Sequence, residues 1–167
     1  MTTKTTLQDL FVHMLSDIYS AEKQLTKALP KLARASTNRA LSAAFEQHLE
    51  ETQGQIERID QIVDTRNIKL KRMKCVAMEG LVEEGKEVID EIEKGPVLDA
   101  ALIAAAQKVE HYEIATYGTL CTIAKQLGEQ DALRLLKETM AEEKATDEKL
   151  TMIAESSANQ EAASVSA

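Results

Sequence analysis

Apolar residues recur at steps of three and four along four long stretches, the spacing that lays them on one face of an α-helix. The first stretch carries Leu7, Leu10, Phe11, Met14, Ile18, Leu25, Leu29 and Leu32, and Pro30 is expected to kink or finish it. Ser36-Thr37-Asn38 offers N-capping side chains for a second, with Leu41, Phe45, His48, Ile56, Ile59 and Val63. A third begins after Gly95-Pro96 and runs Leu98, Leu102, Ala105, Val109, Tyr112, Thr116, Leu120, Ile123 and Leu127, where Gly128 stops it. The fourth holds Leu133, Leu136, Met140, Leu150 and Ile153. From Ser156 the chain turns to Ser, Ala, Asn, Gln and Glu with one Val, the pattern of a frayed end. The pattern assigns residues 1–155 to a helical bundle and 156–167 to a disordered tail.

The joins decide the topology. Short joins after the first and third helices predict two antiparallel hairpins. Between Asp64 and Pro96 lies a segment too long for a turn, with a helical pattern of its own in Val76, Met78, Leu81, Val82, Val88, Ile89 and Ile92. A connection of that length crosses the bundle from end to end and lets the second and third long helices run parallel. The prediction is an all-α, ferritin-like four-helix bundle with one long crossover carrying a fifth, shorter helix.

The stripes contain an anomaly. On the first helix Ile18 is followed by Glu22 and then Leu25, so a carboxylate takes a core position. On the second, His48 leads by steps of three and four to Glu51 and Gln55. On the third, Val109 plus four is Glu113, with Glu110 one turn earlier; on the fourth, Met140 plus three is Glu143, with Asp147 one turn on. Each acid falls near the middle of its helix, and four helix centres in a bundle share one level. Ionised carboxylates left unpaired in a core cost several kcal/mol each and repel one another. Lys23 and Lys144 point about 100° away from the neighbouring acids and cannot neutralise them. For one Glu, the plainer reading is a side chain at the stripe's edge that reaches solvent. For four at one level, metal is the economical one. Many hard oxygen donors suit Fe, Mn or Mg/Ca.

Composition and charge narrow the rest. Six Gly and two Pro in 167 residues cannot punctuate a sandwich or barrel. A net charge of -8 excludes nucleic acid and an anionic membrane as main partners. The single basic run, Lys69-Leu70-Lys71-Arg72-Met73-Lys74, reads as a solvated connector. The longest unbroken apolar run, Ala100 to Ala106, is far short of the roughly 20 residues of a membrane helix. No signal-peptide pattern stands at Met1 to Met14, and Cys75 and Cys121 form no zinc or Cys-x-x-Cys spacing, so a cytoplasmic, reduced protein is expected. Phosphate loops, dinucleotide motifs and catalytic triads are absent, and no organic cofactor is expected.

Four segments carry a family resemblance: Asp17-Ile-Tyr-Ser-Ala-Glu-Lys-Gln-Leu25, His48-Leu-Glu-Glu-Thr52, Glu110-His-Tyr-Glu-Ile-Ala-Thr-Tyr-Gly-Thr-Leu120 and Glu142-Glu-Lys-Ala-Thr-Asp147. With the crossover segment Met73-Lys-Cys-Val-Ala-Met-Glu-Gly80 they resemble the YciF/YciE-type bacterial stress proteins over nearly the whole chain. The resemblance implies a homodimer whose bundle is similar to rubrerythrin in its dimetal region, holding two metal ions, iron first among them. Carried over, the rubrerythrin pattern makes Glu22 a terminal ligand, Glu51 and Glu143 bridging carboxylates, and Glu110 and Glu113 its Glu-x-x-Glu. Where that pattern has a His three residues after each bridging Glu, this chain has Gly54 and Thr146. His48 is then a candidate nitrogen ligand or a core histidine, Gln55 and Asp147 are candidate oxygen ligands, and Tyr19 and Tyr112 are candidate hydrogen-bond donors to the ligands or plain core.

Two functions follow as expectations. One is a dimetal-carboxylate protein of the stress response that handles iron or reactive oxygen, with O₂ or peroxide as substrate and oxidase- or peroxidase-like activity. The other is a non-catalytic, stress-induced helical dimer whose acid cluster holds a structural ion or none.

Overall fold

The structure, a computed structural model, describes residues 5–165. Five long helices carry the chain: α1 (Leu7–Ala35), α2 (Arg39–Arg66), α3 (Val76–Glu91), α4 (Pro96–Gln126) and α5 (Gln130–Ile153). Capping sets their ends. Thr6 Oγ1 accepts from the Asp9 N–H while the Asp9 carboxylate accepts from the Thr6 N–H, closing a capping box on α1. Asn38 Oδ1 accepts from the N–H groups of Ala40 and Leu41 at the start of α2. Asn67 (φ 49°) ends α2 in the left-handed region, and Gly128 (φ 74°) turns the chain between α4 and α5. Pro30 does not stop α1, which runs on to Ala35: so near the C-terminus, the missing N–H removes a single helical bond.

Helices α1, α2, α5 and α4 pack side by side in that cyclic order, and α3 lies across the groove between α1 and α4. Ties at the two ends of the bundle fix direction. Asp99, in the first turn of α4, accepts from the Thr37 N–H (2.8 Å), the Thr37 hydroxyl and the Asn38 N–H (2.9 Å) in the α1–α2 turn. At the far end, Arg66 pairs with Glu129 in the α4–α5 turn. With these ends matched, α2 and α4 run parallel, as the crossover requires. The core between them is Leu15, Ile18, Leu25, Leu41, Ile59, Leu102, Leu120, Leu136 and Leu150, each essentially excluded from water and contributing about 1.5–3 kcal/mol by burial.

The tail differs from expectation. After α5 the chain continues through a π-helical turn (Ala154–Ala158) into α6 (Asn159–Ala163), both packed on α4. Ala158 is fully buried and Ser157 Oγ accepts from Asn38 Nδ2 (3.0 Å), so neighbouring surface orders a segment whose own composition is polar. Residues 166 and 167 of the expected disordered tail lie outside the described residues. Among the described residues, no helix is long and apolar enough to cross a membrane.

Candidate metal centre

Each of the four bundle helices sends polar side chains into the core at one level. Helix α1 supplies Glu22, α2 His48, α4 Glu110 and Glu113, and α5 Glu143, all between 0% and 2% exposed. One ligand atom from each of His48, Glu110, Glu113 and Glu143 lies within 4.8 Å of the others. Glu22 joins them from the α1 side, with the Glu143 and Glu113 carboxylates beside it and its Oε1 accepting from the Tyr117 hydroxyl.

The imidazole of His48 is oriented. Its Nδ1 faces Glu51 Oε2 (3.5 Å) and Thr146 Oγ1 (3.4 Å), while Nε2 faces Glu110 Oε1 (3.3 Å) and Glu143 Oε2 (3.7 Å). In the tautomer with its proton on Nδ1, toward the Glu51 carboxylate, the Nε2 lone pair is aimed at the acids. The backbone beneath is held as well, because Thr52 Oγ1 donates to the His48 carbonyl (2.7 Å).

Electrostatics in this pocket run against ionisation. Burial first, and then the neighbouring Glu143, push the Glu22, Glu110 and Glu113 carboxyls well above the usual range. Burial and the Glu22 carboxylate likewise raise the Tyr117 hydroxyl. Glu51 goes the other way, because the hydrogen bond with His48, supported by Gln47, holds it below the usual range. The nearby cation is engaged elsewhere. Arg58 of α2 clamps Glu142 with two bonds (2.8 and 2.5 Å), and Gln55 Nε2 adds a third (3.1 Å).

The candidate residues read from sequence therefore separate. Glu22, Glu110, Glu113, Glu143 and His48 come together. Glu51 stands at the edge, with its side chain 26% exposed and Oε1 accepting from Gln47 (2.7 Å). Gln55 is buried, with its amide nitrogen on Glu142 and its Oε1 without a hydrogen-bond partner. Asp147 turns away toward the α4–α5 surface, where it accepts from Gln107 (3.2 Å) and meets His111 Nε2 (3.1 Å). The two tyrosines also lie off the cluster. Tyr112 donates to Asp17 (2.9 Å) and touches Cys75 Sγ (3.0 Å), and Tyr19 stacks beneath Lys23 Nζ (5.1 Å). The tyrosine that does touch a candidate ligand is Tyr117, four residues beyond Glu113 on the same helix face; that step of four was its signal in the sequence.

The residues fit a metal. Among the described residues, the buried atoms without a hydrogen-bond partner are Glu22 Oε2, His48 Nε2, Gln55 Oε1, Glu110 Oε2 and both oxygens of Glu113 and Glu143. Buried polar atoms normally find partners, and a shared cation could satisfy this whole set at once. Carboxylates with one imidazole are a donor set for a hard or borderline divalent ion.

Comparison with known proteins agrees with this architecture. The family model described as a domain of unknown function, DUF892, matches residues 6–163. Protein YciF of Escherichia coli (strain K12) is 67% identical over 158 residues, 94% of this chain and 95% of that protein. The crystal structure of the E. coli stress protein YciF aligns with a TM-score of 0.90 at 64% identity, covering 97% of this chain and 100% of that one. The solved structure of YcfI from Rhodopseudomonas palustris aligns with a TM-score of 0.85 at 50% identity, over 88% of this chain and 94% of that one.

Proposed function

The chain belongs to the DUF892 family of YciF-type stress proteins, and from that premise we propose that it is a dimetal-carboxylate protein that handles iron or reactive oxygen under stress. The observation that carries this reading is the set of buried, unpartnered carboxylate oxygens gathered around His48 Nε2. His48, Glu110, Glu113 and Glu143 would hold one ion, and Glu22 with Glu113 and Glu143 the second. Gln55 Oε1 is available as a neutral oxygen donor. A bound pair of iron ions supplies redox chemistry toward O₂ or peroxide, and manganese, or magnesium or calcium without redox, fits the same oxygens. The chain's own contribution is positional. Glu51 and Thr146 orient the His48 ring, Tyr117 donates a hydrogen bond to Glu22 Oε1, and burial of the cluster excludes water.

A second reading, a structural ion or an empty acid cluster in a non-catalytic protein, is favoured by one observation. Gly54 and Thr146 stand where the rubrerythrin pattern has its nitrogen ligands, which leaves His48 as the sole imidazole of the cluster. A homodimer in the cytoplasm belongs to either proposal.

Elemental analysis of protein purified without a metal-affinity tag, followed by Fe(II) addition in air, separates the two. Two metals per chain and an absorbance change on oxidation support the dimetal reading. Metal-free protein that is inert to Fe(II), and equally stable with Glu113→Ala and Glu143→Ala, overturns it.

A further inference from the structure

The buried cluster needs a way in. Glu22, Glu113 and Glu143 are 0% exposed, and His48 and Glu110 nearly so. Glu51 is the exception, and it lines a small cavity of about 60 Å³ between α2 and α5, walled by Ala44, Gln47, Ala145, Thr146 and Lys149. Four larger surface cavities, at the α1–crossover contact, the α2–α5 end, the α1–α3 groove and the α3–α4 turn, touch none of the cluster residues.

The floor and mouth of this cavity are both defined. At the floor stand Glu51 and Thr146, and directly behind them, at 3.5 Å from Glu51 Oε2 and 3.4 Å from Thr146 Oγ1, lies Nδ1 of the imidazole whose other nitrogen faces Glu110 and Glu143. At the mouth, Lys149 Nζ donates to Gln47 Oε1 (2.5 Å), and Gln47 Nε2 donates to Glu51 Oε1 (2.7 Å). This relay ties α5 to α2 and holds the Lys149 ammonium one side chain away from the Glu51 carboxylate. The walls are small: Ala44 lines the buried side and Ala145 the exposed side. Thr146 stands where the rubrerythrin pattern has an imidazole, and a bulky ring there would fill the same space.

We propose that this α2–α5 cavity is the loading route for divalent cations, with Glu51 the receiving carboxylate and the Lys149–Gln47 bridge the barrier at its mouth. The inference rests on the metal reading of the cluster and adds how that cluster is reached. A cation enters when Lys149 swings off Gln47, binds Glu51, and passes the His48 ring to the buried oxygens. Lys149 repels cations until it moves, so it sets the rate of loading and leaves the final occupancy unchanged.

The test is stopped-flow mixing of the metal-free full chain with Co(II) chloride, following the visible absorbance of bound cobalt. Two variants lie outside the ligand set: Ala145→Met narrows the mouth from an exposed position, and Lys149→Ala removes its charge. The expected result is loading about tenfold slower in Ala145→Met and about tenfold faster in Lys149→Ala at low salt, with the gain shrinking at high salt. Both variants should reach the wild-type cobalt content. Slowing in Ala145→Met with no change in Lys149→Ala upholds the route and overturns the charge barrier. Unchanged rates in both variants at full loading overturn the route and leave the metal reading standing. A wild-type chain that takes up no cobalt overturns the metal reading, and the route with it.

Discussion

Tyr117 of α4 donates its hydroxyl proton to Glu22 of α1, and both side chains are completely buried. The bond joins two helices across the core at the level of the acid cluster and fixes which oxygen of Glu22 faces the other carboxylates. Tyr117→Phe keeps the ring and strands a buried acceptor, so it should destabilise the metal-free protein by about 1–3 kcal/mol. Chemical denaturation of the two proteins at one pH checks this, and an unchanged midpoint would show that Glu22 has another partner.

Protonation of the cluster makes stability depend on pH in a defined direction. The ordinary Glu value is 4.5, and burial pushes the Glu113 carboxyl well above it. The native state therefore binds a proton that the unfolded chain releases, and stability falls as pH rises from about the unfolded value toward the folded one, by up to about 1.4 kcal/mol per pH unit for each proton. Glu113→Gln removes that contribution. Thermal melts of chelator-treated protein should show the variant more stable than wild type at pH 8, with the gap closing by pH 5. A gap that widens on acidification contradicts the assignment.

How much of this was legible in the sequence differs from element to element. Glu22, Glu113 and Glu143 are visible because each replaces an apolar residue at a fixed step on a one-sided stripe, and Glu110 because it lies one turn before Glu113. Tyr117 falls off the stripe because α4 is packed by α1, α3, α5 and the tail, so its buried surface is wider than the line through Tyr112 and Thr116. Asp147 follows Glu143 by one turn, yet its neighbour across the groove, Gln107, offers an amide that draws it to the surface. Spacing cannot reveal such a partner. The tail beyond Ser156 is polar in composition and became helical through contact with α4, a tertiary effect that no local pattern encodes.

Asp99 couples the start of α4 to the α1–α2 turn through three accepted bonds at a fully buried site. Asp99→Ala should cost roughly 3 kcal/mol, because two backbone N–H groups and one hydroxyl lose a charged acceptor away from water. In a chain of this length that is a fall in Tm of about 6–12 °C. Differential scanning calorimetry measures it directly, and a change under 2 °C in Tm would count against a structural role for this tie (about 1 kcal/mol or less).

Both thiols should be inert in the native state. Burial pushes Cys75 and Cys121 up, and Cys75 Sγ is further engaged by the Tyr112 hydroxyl and the Met78 N–H. A thiol-reactive dye is expected to label neither residue until denaturant is added and then to label both. Fast labelling of Cys75 in native buffer would mean that the crossover lifts from α1 and α4 on its own.

We propose His48, Glu110, Glu113, Glu143 and Glu22 as a metal centre. Anomalous diffraction from crystals soaked anaerobically in Fe(II), collected on both sides of the iron edge, tests it most directly. Two anomalous peaks are expected inside the bundle, one of them about 2.0–2.2 Å from His48 Nε2, both ringed by the Glu oxygens at similar distances. Crystals that show iron at surface carboxylates and no anomalous density among these five side chains would contradict it.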